Sequence, residues 1–196
     1  MSFVLKLALI GPRSAGKTRI ANELAGIKMG DTQTEPTEGV RILPLNRTIE
    51  VHSADGSRSQ QARVNIELWD CSGDQKYENC WPAIMKDLNG IIVCFDPTSK
   101  AQANDVRIWC EYFSLNANLV SDGQGVIFAH GNLTAQHKPL SVRAGKRNLS
   151  LPIVNVNLNQ DQDKSDQENE DIQTTAEIEF YNFVGSCYGH HPDADI

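Results

Sequence analysis

The sequence predicts an α/β protein: a doubly wound, mostly parallel sheet of about six strands with one antiparallel edge hairpin. Three observations carry this. Apolar runs of strand length alternate with helix-patterned segments along the chain. The first run, Phe3 to Ile10, leads into Gly11-Pro12-Arg13-Ser14-Ala15-Gly16-Lys17-Thr18, a G-x-x-x-x-G-K-[ST] loop set between a strand and a helix. Farther on, two β-patterned stretches flank a turn signal and give the antiparallel pair.

Phe3 to Ile10 is the first strand. Arg19 to Ala25, after the loop, has good helix formers and no Pro, and ends near Gly26. Asp31 to Gly39 is polar, Thr-rich and interrupted by Pro36, so it reads as a surface loop. Val40 to Leu43 and Ile49 to Val51 form a strand that Pro44 assigns to an edge. Ala54-Asp55-Gly56-Ser57 is the turn, and the alternating Val64 to Trp69 is the hairpin partner. Pro82 suits a helix's first turn, with Ala83 to Leu88 continuing it to a stop at Asn89-Gly90. Ile91 to Phe95 is unbroken apolar, the mark of a strand buried on both faces. Asp96 to Ser99 caps the next helix, where Val106, Trp109, Cys110 and Phe113 recur at helical spacing as core. Val126 to Ala129 is a further buried strand, Lys138 to Arg147 a basic segment read as a short helix, and Leu151 to Val156 the last strand. Asn159 to Asp171 is polar and acidic without one apolar residue, so it is expected to be disordered. A closing helix follows, with Ile178, Tyr181, Phe183 and Val184 available to pack on the sheet.

With 196 residues, 40% of them hydrophobic, the chain suits one domain over residues 1–190, with 191–196 a short tail. A net charge of -7 argues against nucleic acid or an anionic membrane as the main partner. The five cysteines form no CxxC pair and no metal spacing, which fits reduced thiols in a cytosolic chain. No apolar run approaches the ~20 residues of a membrane helix. Ser2 is not the glycine that myristoylation needs, and the tail from His190 carries no prenylation box, so no lipid anchor is expected. The five histidines give neither a triad nor a metal spacing.

The chemistry begins with the P-loop. Its glycines let the backbone curl so that N–H groups cradle phosphate oxygens, aided by the helix N-terminus. In that arrangement Lys17 reaches the β/γ-phosphates and the Thr18 hydroxyl holds Mg²⁺. Trp69-Asp70-Cys71-Ser72-Gly73-Asp74 adds a second element: an Asp ending a buried strand can hold a metal-bound water, and Gly73 exposes an N–H to a γ-phosphate. A D-x-x-G alone is weak, but its place after a hairpin, a Thr-bearing loop and a P-loop makes it strong.

This order resembles the Ras/Rab small GTPases over roughly Phe3 to Tyr188, and implies GTP/GDP and Mg²⁺ as ligands. The resemblance implies nucleotide contacts at Gly11, Arg13, Ser14, Ala15, Gly16, Lys17, Thr18, Thr37 and Gly73, and metal contacts at Thr18, Thr37 and, through water, Asp70. Switch I then centres on Thr37, and switch II follows Gly73. The departures are informative. The water-positioning glutamine falls on Asp74, a weak catalytic substitute because an anion sits where negative charge builds up. Arg13 stands where the family has a small residue; it either binds the γ-phosphate or obstructs hydrolysis. The guanine-reading N-K-x-D is replaced by His130-Gly131-Asn132-Leu133, and S-A-K by Asn155-Val156-Asn157-Leu158, which leaves Asn132 and Asn157 as base contacts; Met29 replaces the stacking aromatic.

This set is most similar, among Rab-like proteins, to the small GTPase-like subunit of the intraflagellar transport B complex. That resemblance implies a place at the cilium or flagellum and docking on a coiled-coil pair, through Tyr77, Glu78 and Trp81, with hydrolysis slow. Trp81 has an alternative role, packing under its own helix. Two other functions stand beside this reading. One is a switch whose partner supplies the missing catalytic group; the other is a P-loop small-molecule kinase with a basic lid from Lys138, Arg143, Lys146 and Arg147.

Overall fold

In β1 (Val4–Ile10) successive side chains point to opposite faces of the sheet, and both sets are apolar. Leu5, Leu7 and Leu9 join one core layer; Ala8 and Ile10 join the other. β4 (Gly90–Phe95) does the same, with Ile92 and Cys94 on one face and Ile91, Val93 and Phe95 on the other. A sheet apolar on both sides needs a cover on each, and this dictates the architecture. The computed structural model describes residues 3–27, 35–52, 59–131, 139–156, 174–192 and 194.

Six strands form the sheet in the order β2-β3-β1-β4-β5-β8, where β2 is Val40–His52, β3 Ser59–Cys71, β5 Gly125–Ala129 and β8 Ile153–Asn155. Only β2 and β3 pair antiparallel; the other neighbours are parallel. The six-stranded, doubly wound sheet with an antiparallel edge is therefore as the sequence predicts. β2 runs unbroken through Pro44, which is tolerated because β2 is the edge strand. One face is covered by α1 (Lys17–Leu24) and α4 (Thr175–Gly189), the other by α2 (Trp81–Met85) and α3 (Lys100–Asn116).

The second cover has a component that the sequence reading missed. Residues 139–147, expected as helix, instead belong to a separate antiparallel pair, β6 (Leu140–Ala144) and β7 (Arg147–Leu151). The reason is a period of two: Val142, Leu149 and Leu151 point into the core while Ser141, Arg143, Asn148 and Ser150 point out. Gly145, at φ 65°, turns the chain between them. The pair is held against α3 and the chain before β5: Arg107 donates to Ser141 O (2.8 Å) and Arg147 to Val120 O (3.1 Å). Leu151 thus closes the hairpin instead of opening the last strand, which begins after Pro152.

Two further expectations shift. The helix after Pro82 stops at Met85, because Lys86 is extended and Asp87 left-handed (φ 55°). Lys6 replaces the missing turn, donating through Nζ to Ala83 O (2.7 Å) and Lys86 O (2.8 Å). In α4 the inward face is Phe180, Phe183, Val184 and Cys187, while Ile178 is exposed. The turn at residues 54–57, the acidic run at 159–171 and Lys138 lie outside the described residues.

α4 and β4 approach closely at Gly90. A Cβ there falls 2.6 Å from Cys187 Sγ and 2.7 Å from Phe183 Cζ. Overpacking of this kind costs about 1–3 kcal/mol, so Gly90→Ala should lower stability by that amount in urea unfolding. Adding Cys187→Ala should recover a part of it; an unperturbed Gly90→Ala would place α4 farther from β4 than described.

Candidate functional site

The described P-loop, switch I and switch II residues meet at the carboxyl ends of β1, β3 and β4. After Ile10 the chain turns through Gly11 (φ 132°), Ser14 (φ 60°) and Gly16 (φ 78°), and Gly16 caps α1. Gly16 has to be glycine for a second reason. A Cβ there falls 2.3 Å from the ring of His130, which stands at the exit of β5. His130 is itself fixed, since Nδ1–H donates to Val156 O (2.9 Å) beyond β8. The base-side strands and the phosphate loop are thus joined through one imidazole, at the position where the family motif begins with Asn.

Lys17 is buried at 7% exposure and donates to Gly11 O (2.9 Å) and Pro12 O (2.6 Å). Burial pulls its pKa down, opposed by Asp70 and nearby thiols. Its ammonium therefore lies across the mouth of the loop, where phosphate oxygens are stronger acceptors than carbonyls. Gln102 of α3 braces the loop from outside, donating to Arg13 O (3.1 Å) and accepting from Asp96 N (2.8 Å).

Thr18, Thr37 and Asp70 converge. The two hydroxyls are 2.8 Å apart, and Thr37 Oγ1 lies 3.5 Å from Asp70 Oδ2. Asp70 has no exposed surface, and its Oδ1 has no hydrogen-bond partner among the described residues. Burial raises its pKa, opposed by Arg41, the Thr18 hydroxyl and Lys17. Arg41 is a residue that sequence reading missed: its Nη2 is 3.1 Å from Asp70 Oδ2. The signal was present in the hairpin register, which pairs Arg41 with Asp70. Two hydroxyls and a carboxylate with a free oxygen are hard donors, the set that Mg²⁺ takes with phosphates and water. No cluster of three His, Cys, Asp or Glu able to hold a metal occurs among the described residues. The buried thiols are held protonated: burial pushes Cys94 and Cys110 up to about 12 and Cys71 and Cys187 higher still.

Gly73 packs on the P-loop so closely that a Cβ falls 2.4 Å from Pro12 C and 2.6 Å from Arg13 N. Ser72 N–H donates to Gly39 O (2.8 Å), which joins the ends of β3 and β2. Asp74 then caps a short 3₁₀ helix, Gln75–Cys80, accepting from Lys76 N (3.1 Å). Its carboxylate pairs with Arg13 (3.4 Å) and Lys76 (3.7 Å). The Lys76 N–H, Arg13 and Lys76 charges hold its pKa below the ordinary carboxylate value. Arg13 is thus the counter-ion of Asp74.

On that 3₁₀ helix Tyr77 is half-buried beneath Lys76 (4.8 Å to the ring) and Glu78 is exposed. Trp81 sits among Trp109 (5.2 Å), Tyr112 (5.0 Å) and Phe113 (5.5 Å) of α3, half-buried. Asn132, Asn157 and Met29 lie outside the described residues. Arg143 and Arg147 are tied to the hairpin and to the chain before β5, at the end of the sheet away from the P-loop, which removes them from a kinase lid.

Residues 6–129 match the family described as Ras of Complex, Roc, domain of DAPkinase. Over 184 residues the chain is 35% identical to the intraflagellar transport protein 22 homolog of Danio rerio, covering 93% of this chain and 89% of that protein. With the Rattus norvegicus homolog the identity is 33%, over 92% of this chain and 88% of the relative. Among solved structures it resembles GDP-bound T. brucei IFT22, with TM-score 0.57, 21% identity and coverage of 96% and 99%. It also resembles the GTP-bound T. brucei IFT22/74/81 structure, with TM-score 0.63, 22% identity and coverage of 95% of both chains. Those two likenesses speak to fold, and the curated relatives to kinship: the chain belongs to the Ras-like GTPases, within the intraflagellar transport protein 22 family.

Proposed function

We propose that the chain is a guanine-nucleotide-binding subunit of the intraflagellar transport B complex at the cilium or flagellum, whose Mg²⁺-GTP form orders a surface read by a coiled-coil partner. The observation that carries this is the meeting of Thr18, Thr37 and Asp70 beside Lys17, which joins P-loop, switch I and switch II at one point. Lys17, with the N–H groups from Arg13 to Thr18, holds the phosphates. Thr18, Thr37 and, through water, Asp70 hold the metal, which when bound neutralises phosphate charge. The Gly73 N–H contacts the γ-phosphate, and Asn132 and Asn157 are the base contacts. A GDP-bound and a GTP-bound relative of the same fold support the ligand, and the second one's company, IFT74/81, supports the partner.

Hydrolysis is slow in this reading. Asp74 cannot orient a water as an amide does, and its carboxylate is engaged by Arg13 and by the Lys76 N–H. Docking uses the exposed 3₁₀ helix, with Tyr77 and Glu78 at its surface and Trp81 at its base. The domain spans residues 1–190, the acidic stretch 159–171 included, and localisation comes from protein contact.

Three outcomes are expected. Lys17→Ala should weaken GTP binding by about a hundredfold, the ~3 kcal/mol of lost hydrogen bonds to a charge; titration of a fluorescent GTP analogue reads it, and unchanged affinity would falsify the P-loop assignment. Wild-type single-turnover hydrolysis should be no faster than the unassisted Ras scale of ~10⁻⁴ s⁻¹ and rise about tenfold toward it in Asp74→Gln; a wild-type rate near ~1 s⁻¹ without a partner defeats the slow-site reading. Tyr77→Ala with Glu78→Lys should release the chain from the coiled-coil pair in co-sedimentation while nucleotide binding persists. Continued co-sedimentation puts the docking surface elsewhere.

A further inference from the structure

Arg41 lies outside every loop that the site reading gives to phosphate, yet it faces the carboxylate at the centre. The β2–β3 register sets it directly across from Asp70, and Ser72 N–H to Gly39 O closes the ladder just beyond. Its guanidinium is 3.1 Å from Asp70 Oδ2, with Arg41 37% exposed and Asp70 fully buried. The contact is an ion pair and not a hydrogen bond: Asp70 Oδ1 and the Arg41 Nε and Nη2 atoms have no hydrogen-bond partners among the described residues. Arginine does not lose its proton in proteins, so the neutralisation is permanent.

We propose that Arg41 is a built-in counter-charge for Asp70 that takes over part of the metal's task, so that nucleotide retention by this chain depends only weakly on Mg²⁺. The proposal rests on the nucleotide-site reading above. Where such an Asp has no cationic partner, stripping the metal leaves a bare carboxylate facing phosphates across a low-dielectric gap, and the repulsion expels the nucleotide. Here the guanidinium stays, and no bare anion is exposed when the metal leaves. The same positive charge opposes a divalent cation entering beside it, so less is gained when the metal binds. Oδ1 remains free for a metal-bound water, so Mg²⁺ is admitted at reduced advantage.

The test compares nucleotide release before and after chelation. Wild-type, Arg41→Gln and Arg41→Lys chains are loaded with a fluorescent GDP analogue and chased with unlabelled GDP, in Mg²⁺ or in EDTA. Chelation should speed release from wild type by less than about tenfold, and from Arg41→Gln by at least about tenfold more than that. Arg41→Lys keeps the charge and should return the wild-type ratio. A wild-type ratio above about tenfold, or an Arg41→Gln ratio equal to wild type, overturns the proposal. If Arg41→Gln does not fold, the wild-type ratio decides alone at the same threshold. A wild-type chain that retains no analogue in either buffer brings down the nucleotide reading and the proposal with it. Retention with a steep dependence on Mg²⁺ removes the proposal and leaves that reading standing.

Discussion

Asp70 is a carboxylate without exposed surface at the end of a strand buried between two others. Removing an ion from water costs several kcal/mol, and an isolated one in such a place would be protonated instead. The surroundings answer that cost from three directions. Lys17 and the Thr18 hydroxyl come from the start of α1, the Thr37 hydroxyl from the loop before β2, and Arg41 from the edge strand. These are three separate chain segments, so keeping Asp70 where it is requires each of them to be where it is.

The backbone makes the same demand. Gly73 can pass the P-loop only without a Cβ, and Gly16 can pass His130 only without one. Switch II, P-loop and the exit of β5 therefore form one packed unit in which a shift of any member is transmitted as a clash. In the proposed reading, a γ-phosphate that moves Gly73 also moves the 3₁₀ helix that follows it and carries Tyr77 and Glu78. Trp81 anchors the far end of that helix in the aromatic cluster of α3.

What was legible in the sequence was whatever rests on local chemistry. The P-loop, the doubly apolar strands β1 and β4, the edge placement of a strand with Pro44 and the D-x-x-G exit all follow from residue type and spacing. The β6–β7 hairpin was not legible because its charged residues, Arg143, Lys146 and Arg147, overlie a weak period of two that only the core confirms. The early end of α2 was hidden because its stop comes from Lys6, far away in sequence, taking over the carbonyls. In the site, single residues were readable and pairings were not. Asp74 reads as an anion in the wrong place until Arg13 is found beside it, and Arg41 reads as a strand residue until the register sets it against Asp70.

These two arginines do related work on two acids. The P-loop carries Arg13 where the family has a small residue, and switch II carries Asp74 where the family has Gln; each departure alone puts an unwelcome charge near the γ-phosphate. Together they cancel at 3.4 Å and give switch II a tether to the P-loop. An exposed pair of this kind is worth little in stability, so its effect lies in orientation. A carboxylate held by Arg13 and by the Lys76 N–H is turned into a helix cap. The Ras-like architecture is thereby kept, and in the proposed reading the position of the family glutamine serves as a structural cap.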